Sequence, residues 1–259
     1  MKLRDILRRP FRRRKHEKSA KSVPRYQPGS TTIFENEVKY TDYASLSFLQ
    51  KELFDLEIYK FDCDKASPYI IDAGANIGLS VIYFKRLYPK SIIVAFEPDN
   101  DAFEAMSFNV RPYGAHNDIK LSNKALWDTE GTLQFYAEGA DGGRLATNGE
   151  TSQLVEVPTV RLRPYLKEPV DFLKMDIEGA ETRVLQDCAD LLSNVERLFV
   201  EYHSFTEGDQ ELHELLGILN QAGFRYYVSH IGIESPHPFT HKNEYLGMDN
   251  QLNIYATRI

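Results

Sequence analysis

Four short strings hold the residues whose types and spacing could do chemistry. The first is Asp72-Ala73-Gly74-Ala75-Asn76-Ile77-Gly78, which follows the apolar pair Ile70-Ile71 and precedes a helical stretch. In such a D-x-G-x-x-x-G turn Gly74 permits the tight bend and Gly78 lets the helix start lie against the strand. Asp72 sets the sign of the ligand. A carboxylate at the strand tip repels a pyrophosphate, which a helix N-terminus otherwise favours. It attracts a sulfonium or ammonium, the cationic centre of S-adenosylmethionine being one.

The second string, Val94-Ala95-Phe96-Glu97-Pro98-Asp99, ends the next apolar run and puts Glu97 25 residues after Asp72. An acid at that strand tip accepts two hydrogen bonds from a ribose diol. The third is Asp171-Phe172-Leu173-Lys174-Met175-Asp176-Ile177-Glu178-Gly179-Ala180-Glu181. Strand alternation puts Lys174 and Asp176 on one side, so the lysine needs a carboxylate partner or a cleft, because burying an unpaired ammonium is costly. Glu178 and Glu181 flank a helix start, where carboxylates are favourable in any case.

In the fourth string, Phe199-Val200-Glu201-Tyr202-His203-Ser204, the imidazole is a candidate base with an ordinary pKa near neutrality. Asp176 and His203 are therefore the candidate bases, with Lys174 holding Asp176 ionised. Asp176 and the pair Glu201/His203 also leave two neighbouring strand ends, able to hold Mg²⁺ or Mn²⁺. One acid per strand is thin ligand provision, so no metal ligand is assigned.

These strings need strand tips on one rim. From Tyr69 onward short apolar runs alternate with helical stretches. The runs are Tyr69–Ile71, Ile92–Phe96, Ile119–Leu121, Leu133–Tyr136, Phe172–Met175, Arg197–Val200, Phe224–Val228 and Leu252–Ala256. Helical spacing fits Leu79–Leu87, Ala102–Val110, Thr182–Leu192 and Gln210–Ala222. The alternation predicts βαβ units in a doubly wound α/β sheet, whose right-handed crossovers put the carboxyl ends of the parallel strands on one edge. The last two runs have no convincing helix between them and read as an antiparallel pair at the sheet edge. Before Tyr69, Leu46, Leu49, Leu53, Phe54 and Leu56 predict a cap helix over Thr41–Tyr59.

With 259 residues the chain is long enough for one large α/β domain. No run approaches the ~20 apolar residues that cross a bilayer, and no apolar run near Met1 reads as a secretory signal. Cys63 and Cys188 stand far apart, which excludes a disulfide scaffold or zinc ribbon and fits reduced thiols in a cytoplasm. The net charge of −7 divides into +8 over residues 1–21 (ten Lys/Arg against Asp5 and Glu17) and −15 over the rest. An acidic body argues against nucleic acid as partner. The basic leader, with Leu3, Ile6 and Leu7 among arginines, reads as a solvated arm or as a segment for peripheral contact with an anionic membrane. The glycine-rich loop Gly139–Asn148 reads as an exposed turn or a lid.

Taken in order, IIDAGANIGLS, AFEPD, the Asn109 closing SFN, NKALWDTEG and FLKMDIEGAE resemble the FkbM family of S-adenosylmethionine-dependent methyltransferases over about residues 69–228. The resemblance implies the class I methyltransferase fold, Rossmann-like, with a mostly parallel seven-stranded sheet whose last strand is antiparallel. It implies methyl transfer to a hydroxyl on a saccharide, polyketide or other secondary metabolite, hence a small-molecule or glycan acceptor. By the same resemblance Asp72, Gly74, Asn76 and Gly78 line the methionine end of the cofactor, Glu97 binds the ribose and Pro98 shapes the adenosine slot. Ala125, Leu126 and Asp128 approach the adenine, and Asp176 lies nearest the transferred methyl. The organisation expected is a disordered leader over 1–29, a cap region over 30–68 and a methyltransferase domain over 69–259. The alternatives are an NAD-dependent oxidoreductase, against which Asp72 and Leu79 speak, and a non-catalytic Rossmann-like binding protein, which would have little use for Asp72, Glu97 and Asp176 on one rim.

Overall fold

The computed structural model describes residues 24–114, 118–136, 144–145, 154–231, 235–241, 244 and 246–258. The basic leader up to residue 23, and residues 139–148 apart from 144 and 145, lie outside them. The chain opens with a hairpin, β1 (Gly29–Ile33) and β2 (Asn36–Tyr40), then a helix, α1 (Tyr43–Gln50). A βαβ succession follows: β3 (Tyr69–Ala73), α2 (Leu79–Leu87), β4 (Ile92–Phe96), α3 (Asn100–Asn109) and β5 (Ile119–Ser122). Four short strands come next: β6 (Ala125–Leu126), β7 (Gly131–Tyr136), β8 (Arg144–Leu145) and β9 (Leu154–Val160). The chain then returns through β10 (Phe172–Met175), α4 (Glu181–Asp187), β11 (Arg197–Phe205), α5 (Leu212–Gln221), β12 (Arg225–His230) and β13 (Met248–Thr257).

The main sheet has seven strands in the order β12-β13-β11-β10-β3-β4-β5. β11, β10, β3, β4 and β5 pair parallel, and β13 runs antiparallel to both β11 and β12. Both faces of the sheet are covered, so its central strands read as continuous apolar runs rather than alternating ones. Period-2 geometry sends Ile71, Val94, Leu173 and Val200 into a core with α4 and α5, and Ile70, Ile93, Phe172 and Phe199 into a second core with α2 and α3. This is the class I methyltransferase architecture, and it puts the tips of β3, β4, β10 and β11 on one rim. No helix among the described residues is long and apolar enough to cross a membrane.

Three expectations change. The cap helix does not reach Tyr59: α1 passes into a turn of π-helix over Lys51–Asp55, and the chain then runs without regular structure to β3. Tyr59 and Phe61 explain the stop. Both insert into the second core, Tyr59 against Phe199 (ring centroids 4.7 Å apart) and Phe61 against Phe172 (4.7 Å). Side chains two residues apart share a face in extended chain, not in a helix. Next, Leu133–Tyr136 is no rung of the parallel sheet. It belongs to β7, antiparallel to β9 in a separate sheet of order β6-β9-β7-β8, where β9 was not foreseen because Glu156 and Pro158 break its apolar pattern. Finally, the end of the arm is docked: Asp42 accepts from the Tyr26 backbone N–H (2.7 Å) and pairs with Arg25 (3.0 Å).

The β1–β2 hairpin, also unforeseen, is tied to the rim by Asn109. Its Nδ2 donates to Lys39 O (2.9 Å) and Ile77 O (2.8 Å), while its Oδ1 accepts from the Lys39 N–H (2.7 Å). One buried amide thus joins hairpin, β3 turn and α3.

Candidate active site

The β3 turn is held by backbone contacts. Gly74 and Ala75 both donate to Phe96 O (3.0 and 2.9 Å), which closes the turn over the end of β4. Gly74 adopts φ +81°, and a Cβ there would stand 1.7 Å from the Asp176 carbonyl oxygen. Only glycine lets the tips of β3 and β10 approach this closely. Asn76 also takes a left-handed φ of 48°, and its N–H points at the Glu97 carboxylate (2.8 Å). The other Glu97 oxygen accepts from the Asp99 N–H (2.9 Å), and Asn123 donates to the Glu97 and Pro98 carbonyls (2.9 and 3.2 Å). Glu97 is buried, and burial pushes its pKa up to about 7 against those two N–H bonds. Each oxygen keeps a further lone pair.

Lys174 sits across the sheet from Asp72 in the β3–β10 register. Its ammonium lies 3.2 Å from Asp176 Oδ2 and 3.6 Å from Asp72 Oδ1, and it donates to the carbonyls of Ala73 (3.3 Å) and Gly74. Asp72 Oδ2 accepts from the Ser80 hydroxyl (2.5 Å), whereas Asp72 Oδ1 is buried without a hydrogen bond. Burial works against the ammonium charge, but Asp176 and Asp72 outweigh it and hold Lys174 above its ordinary pKa. Burial also raises both aspartates above the usual carboxylate value, despite the pull of the lysine they share. One cation between two carboxylates leaves one net negative charge beside the β3 turn. The lysine's partner, expected from the sequence, is therefore a pair.

On the other side of Asp176 the tips of β10 and β11 gather acids around one imidazole. His203 is buried; its Nδ1 is 3.0 Å from Glu181 Oε1, and its Nε2 is 3.5 Å from Glu178, 3.5 Å from Glu201 and 3.9 Å from Asp176 Oδ1. Burial lowers the imidazole pKa, but Glu178 and Glu181 outweigh that and hold it well above its ordinary value. With no cation beside it, this field of carboxylates favours a proton on the ring. Glu181 does cap its turn, accepting from the Ile177 and Gly179 N–H groups (3.1 and 3.0 Å), and it orients His203 as well. Glu178 does not cap. It takes φ 54°, and its carboxyl is pushed well above its ordinary pKa by burial, with Asp176 and Glu201 adding to the rise.

Two contributors had no signal in any motif. Gln251 of β13 donates to Glu201 Oε1 (2.5 Å) and lies 3.3 Å from His203 Nε2; its neighbourhood follows only from the antiparallel pairing of His203 with Gln251. Glu52 of the cap's π-turn has its pKa raised to about 8 by burial and by Glu201 and Asp176. The segment expected at the adenine is placed differently from the rest. Ala125 and Leu126 are buried in β6, and Asp128 pairs with Arg183 of α4 (3.2 Å), whose guanidinium lies over the Trp127 ring.

Comparison with known proteins agrees with this geometry. Residues 72–226, more than half the chain, match the model of the methyltransferase FkbM domain. Methyltransferase sdnD of Sordaria araneosa is 30% identical over 174 residues, covering 54% of this chain and 67% of that protein. The 2-O-methyltransferase NoeI of Sinorhizobium fredii is 26% identical over 174 residues (58% and 68%), and the 31-O-demethyl-FK506 methyltransferase FkbM of Streptomyces tacrolimicus is 25% identical over 223 residues (72% and 85%). Among solved structures, a methyltransferase FkbM from Methylobacillus flagellatus superposes with a TM-score of 0.50 at 16% identity, over 78% of this chain. The chain spans 46% of the length of that protein, and the likeness shows the fold.

Proposed function

From the premise that this chain belongs to the FkbM methyltransferase family, we propose that it transfers a methyl group from S-adenosylmethionine to a hydroxyl of a small-molecule or glycan acceptor. The observation that carries the cofactor is the Asp72–Lys174–Asp176 triad, whose single net negative charge faces the β3 turn. A sulfonium is stabilised there and a pyrophosphate is repelled. Glu97 keeps one lone pair per oxygen for the ribose diol, and Asn76, Gly78 and Pro98 shape the backbone around it. Ala125, Leu126 and Asp128 are assigned to the adenine side.

Oxygen as the acceptor atom is supported by the relatives named for O-methylation and by the character of the rim. In-line displacement needs alignment of donor and hydroxyl, which supplies much of the rate. An alcohol is a weak nucleophile, so a base must take its proton as the bond forms. Asp176 is the group for that: it is partly exposed, and burial makes it a stronger base than a surface aspartate. Lys174 holds it in place, and His203 steadies its other oxygen.

Thermal unfolding with S-adenosylhomocysteine or NAD tests the reading. A ligand at 100 times its dissociation constant adds about 2.7 kcal/mol. S-Adenosylhomocysteine is expected to raise the melting temperature and NAD to leave it unchanged. The reverse pattern would overturn the methyl-transfer reading in favour of an oxidoreductase.

A further inference from the structure

The cluster beyond Asp176 holds more negative charge than one proton transfer needs, and its spacing is not that of an ion pair. A charged N–H···O⁻ bond closes to about 2.7–2.9 Å. His203 makes a contact near that length on one side only, from Nδ1 to Glu181 (3.0 Å). On the other side Nε2 stands off Glu178 and Glu201 by 3.5 Å and Asp176 by 3.9 Å, although all four groups are packed together. Two ligands bound to a common ion at about 2.0–2.2 Å are themselves about 3–4 Å apart. The ligand atoms of Asp176, Glu178 and His203 all lie within 4.8 Å of one another.

The geometry points to a binding site for a first-row divalent metal ion at Asp176, Glu178 and His203, with Glu201 beside them. The roles divide atom by atom. Asp176 gives Oδ2 to Lys174 and keeps Oδ1 for the ion. Glu181 sits behind the imidazole, fixing Nδ1 as the protonated nitrogen and aiming the Nε2 lone pair inward, the carboxylate–histidine arrangement that supports a metal ligand. The Gln251 amide nitrogen, 3.3 Å from Nε2, can donate to a neutral ring there and would give up that contact to an ion. His203 is 1% exposed, whereas Asp176 (24%) and Glu178 (16%) open to solvent and give the ion its way in. One imidazole with carboxylate oxygens suits Mn²⁺, Fe²⁺ or Zn²⁺ better than a soft ion. To Asp176, Glu201 and His203 the fold adds Glu178, which lifts the ligand provision above one acid per strand.

The role of the ion rests on the methyl-transfer reading; its binding does not. A hydroxyl bound at the ion would lose its proton more readily, the proton passing to Asp176 on Oδ2, the oxygen the ion leaves free. The O–CH₃ bond then forms as the S–CH₃ bond breaks, and the cofactor leaves as a neutral thioether.

The test is titration of the full-length, chelator-stripped protein with MnCl₂, following free Mn²⁺ by electron paramagnetic resonance. One ion bound per chain is expected, weakened at least about tenfold by Glu178→Gln, by His203→Ala and by Glu181→Gln. Free Mn²⁺ unaffected by the protein would overturn the site, as would binding undiminished in Glu178→Gln and His203→Ala. Glu178 is partly exposed, so its variant remains informative if His203→Ala fails to fold. S-Adenosylhomocysteine binding, measured on the same stripped protein, separates failure of the metal site from failure of the methyl-transfer reading.

Discussion

The two halves of the rim use carboxylates in opposite ways. At the tips of β3 and β4, Asp72 and Glu97 are met by fixed partners: a serine hydroxyl, a lysine and two backbone N–H groups. At the tips of β10 and β11, Asp176, Glu178, Glu181 and Glu201 surround one imidazole, and burial together with the charges of Glu201 and Asp176 raises the pKa of the Glu52 carboxyl of the cap to about 8. On the proposed function, the first half would recognise the donor without rearrangement. The second gathers carboxylates around one imidazole, where on the proposed function the acceptor would bind and a proton or a cation would come and go. Lys174 belongs to both and lets them lie side by side.

The largest expected effect breaks the reactive half and spares the other. With an accepted substrate in hand, Asp176→Asn should lower turnover about 10²–10⁴-fold, the usual contribution of a positioned base, while affinity for S-adenosylhomocysteine, which has no sulfonium for the triad to meet, changes little. Unchanged turnover in both Asp176→Asn and His203→Ala would remove the chemistry from this end of the rim. Next in size is the shared cation. Lys174→Met leaves two buried carboxylates without a counter-charge and should cost about 3–5 kcal/mol in urea unfolding. A loss below about 1 kcal/mol would mean the aspartates are neutral in the folded protein.

Glu97 supplies the pH signature of the binding half. Its pKa is raised to about 7, so it becomes protonated as pH falls through neutrality and no longer accepts from the ribose on both oxygens. Calorimetry should show S-adenosylhomocysteine affinity falling from pH 8 to pH 6, with that slope lost in Glu97→Gln. An identical slope in the variant would assign the titration elsewhere. For stability the sign is opposite. The folded state holds this proton more tightly than the unfolded chain, so its contribution is present below about pH 4.5 and lost as pH rises through about 7.

The smallest effect concerns the cap. Asp42 caps α1 through the Ser45 N–H (3.0 Å) and docks Tyr26; these N–H bonds hold its carboxyl below its ordinary pKa against the rise from burial. Asp42→Ala should lower unfolding free energy by about 1 kcal/mol and leave cofactor affinity unchanged. Weakened cofactor binding would show that the cap acts on the donor half as well.

The binding half was legible in the sequence because its parts are local. A strand tip, two glycines and an acid at the next tip are contiguous strings, and βαβ geometry forces them together. Lys174 was legible too, as a charge inside an apolar strand. The reactive half was legible only in part. Asp176 and His203 stood out, but Glu178 and Glu181 look like helix-start acids in any sequence. Gln251 depends on an antiparallel register 48 residues away. Glu52 depends on a π-turn that apolar spacing cannot distinguish from α-helix. The small β6–β9 sheet escaped for a similar reason: an apolar run such as Leu133–Tyr136 has one appearance whether its partner is parallel or antiparallel.

The central claim is that the β3–β4 rim recognises the nucleoside of a methyl donor. Calorimetric titration of S-adenosylmethionine into the wild-type protein and Glu97→Ala tests it most directly. Loss of hydrogen bonds to a charged acceptor costs about 1.5–3 kcal/mol, so one site per chain is expected, weakened ten- to hundredfold in the variant. Equal affinities in the two proteins, or no binding to either, would contradict the account.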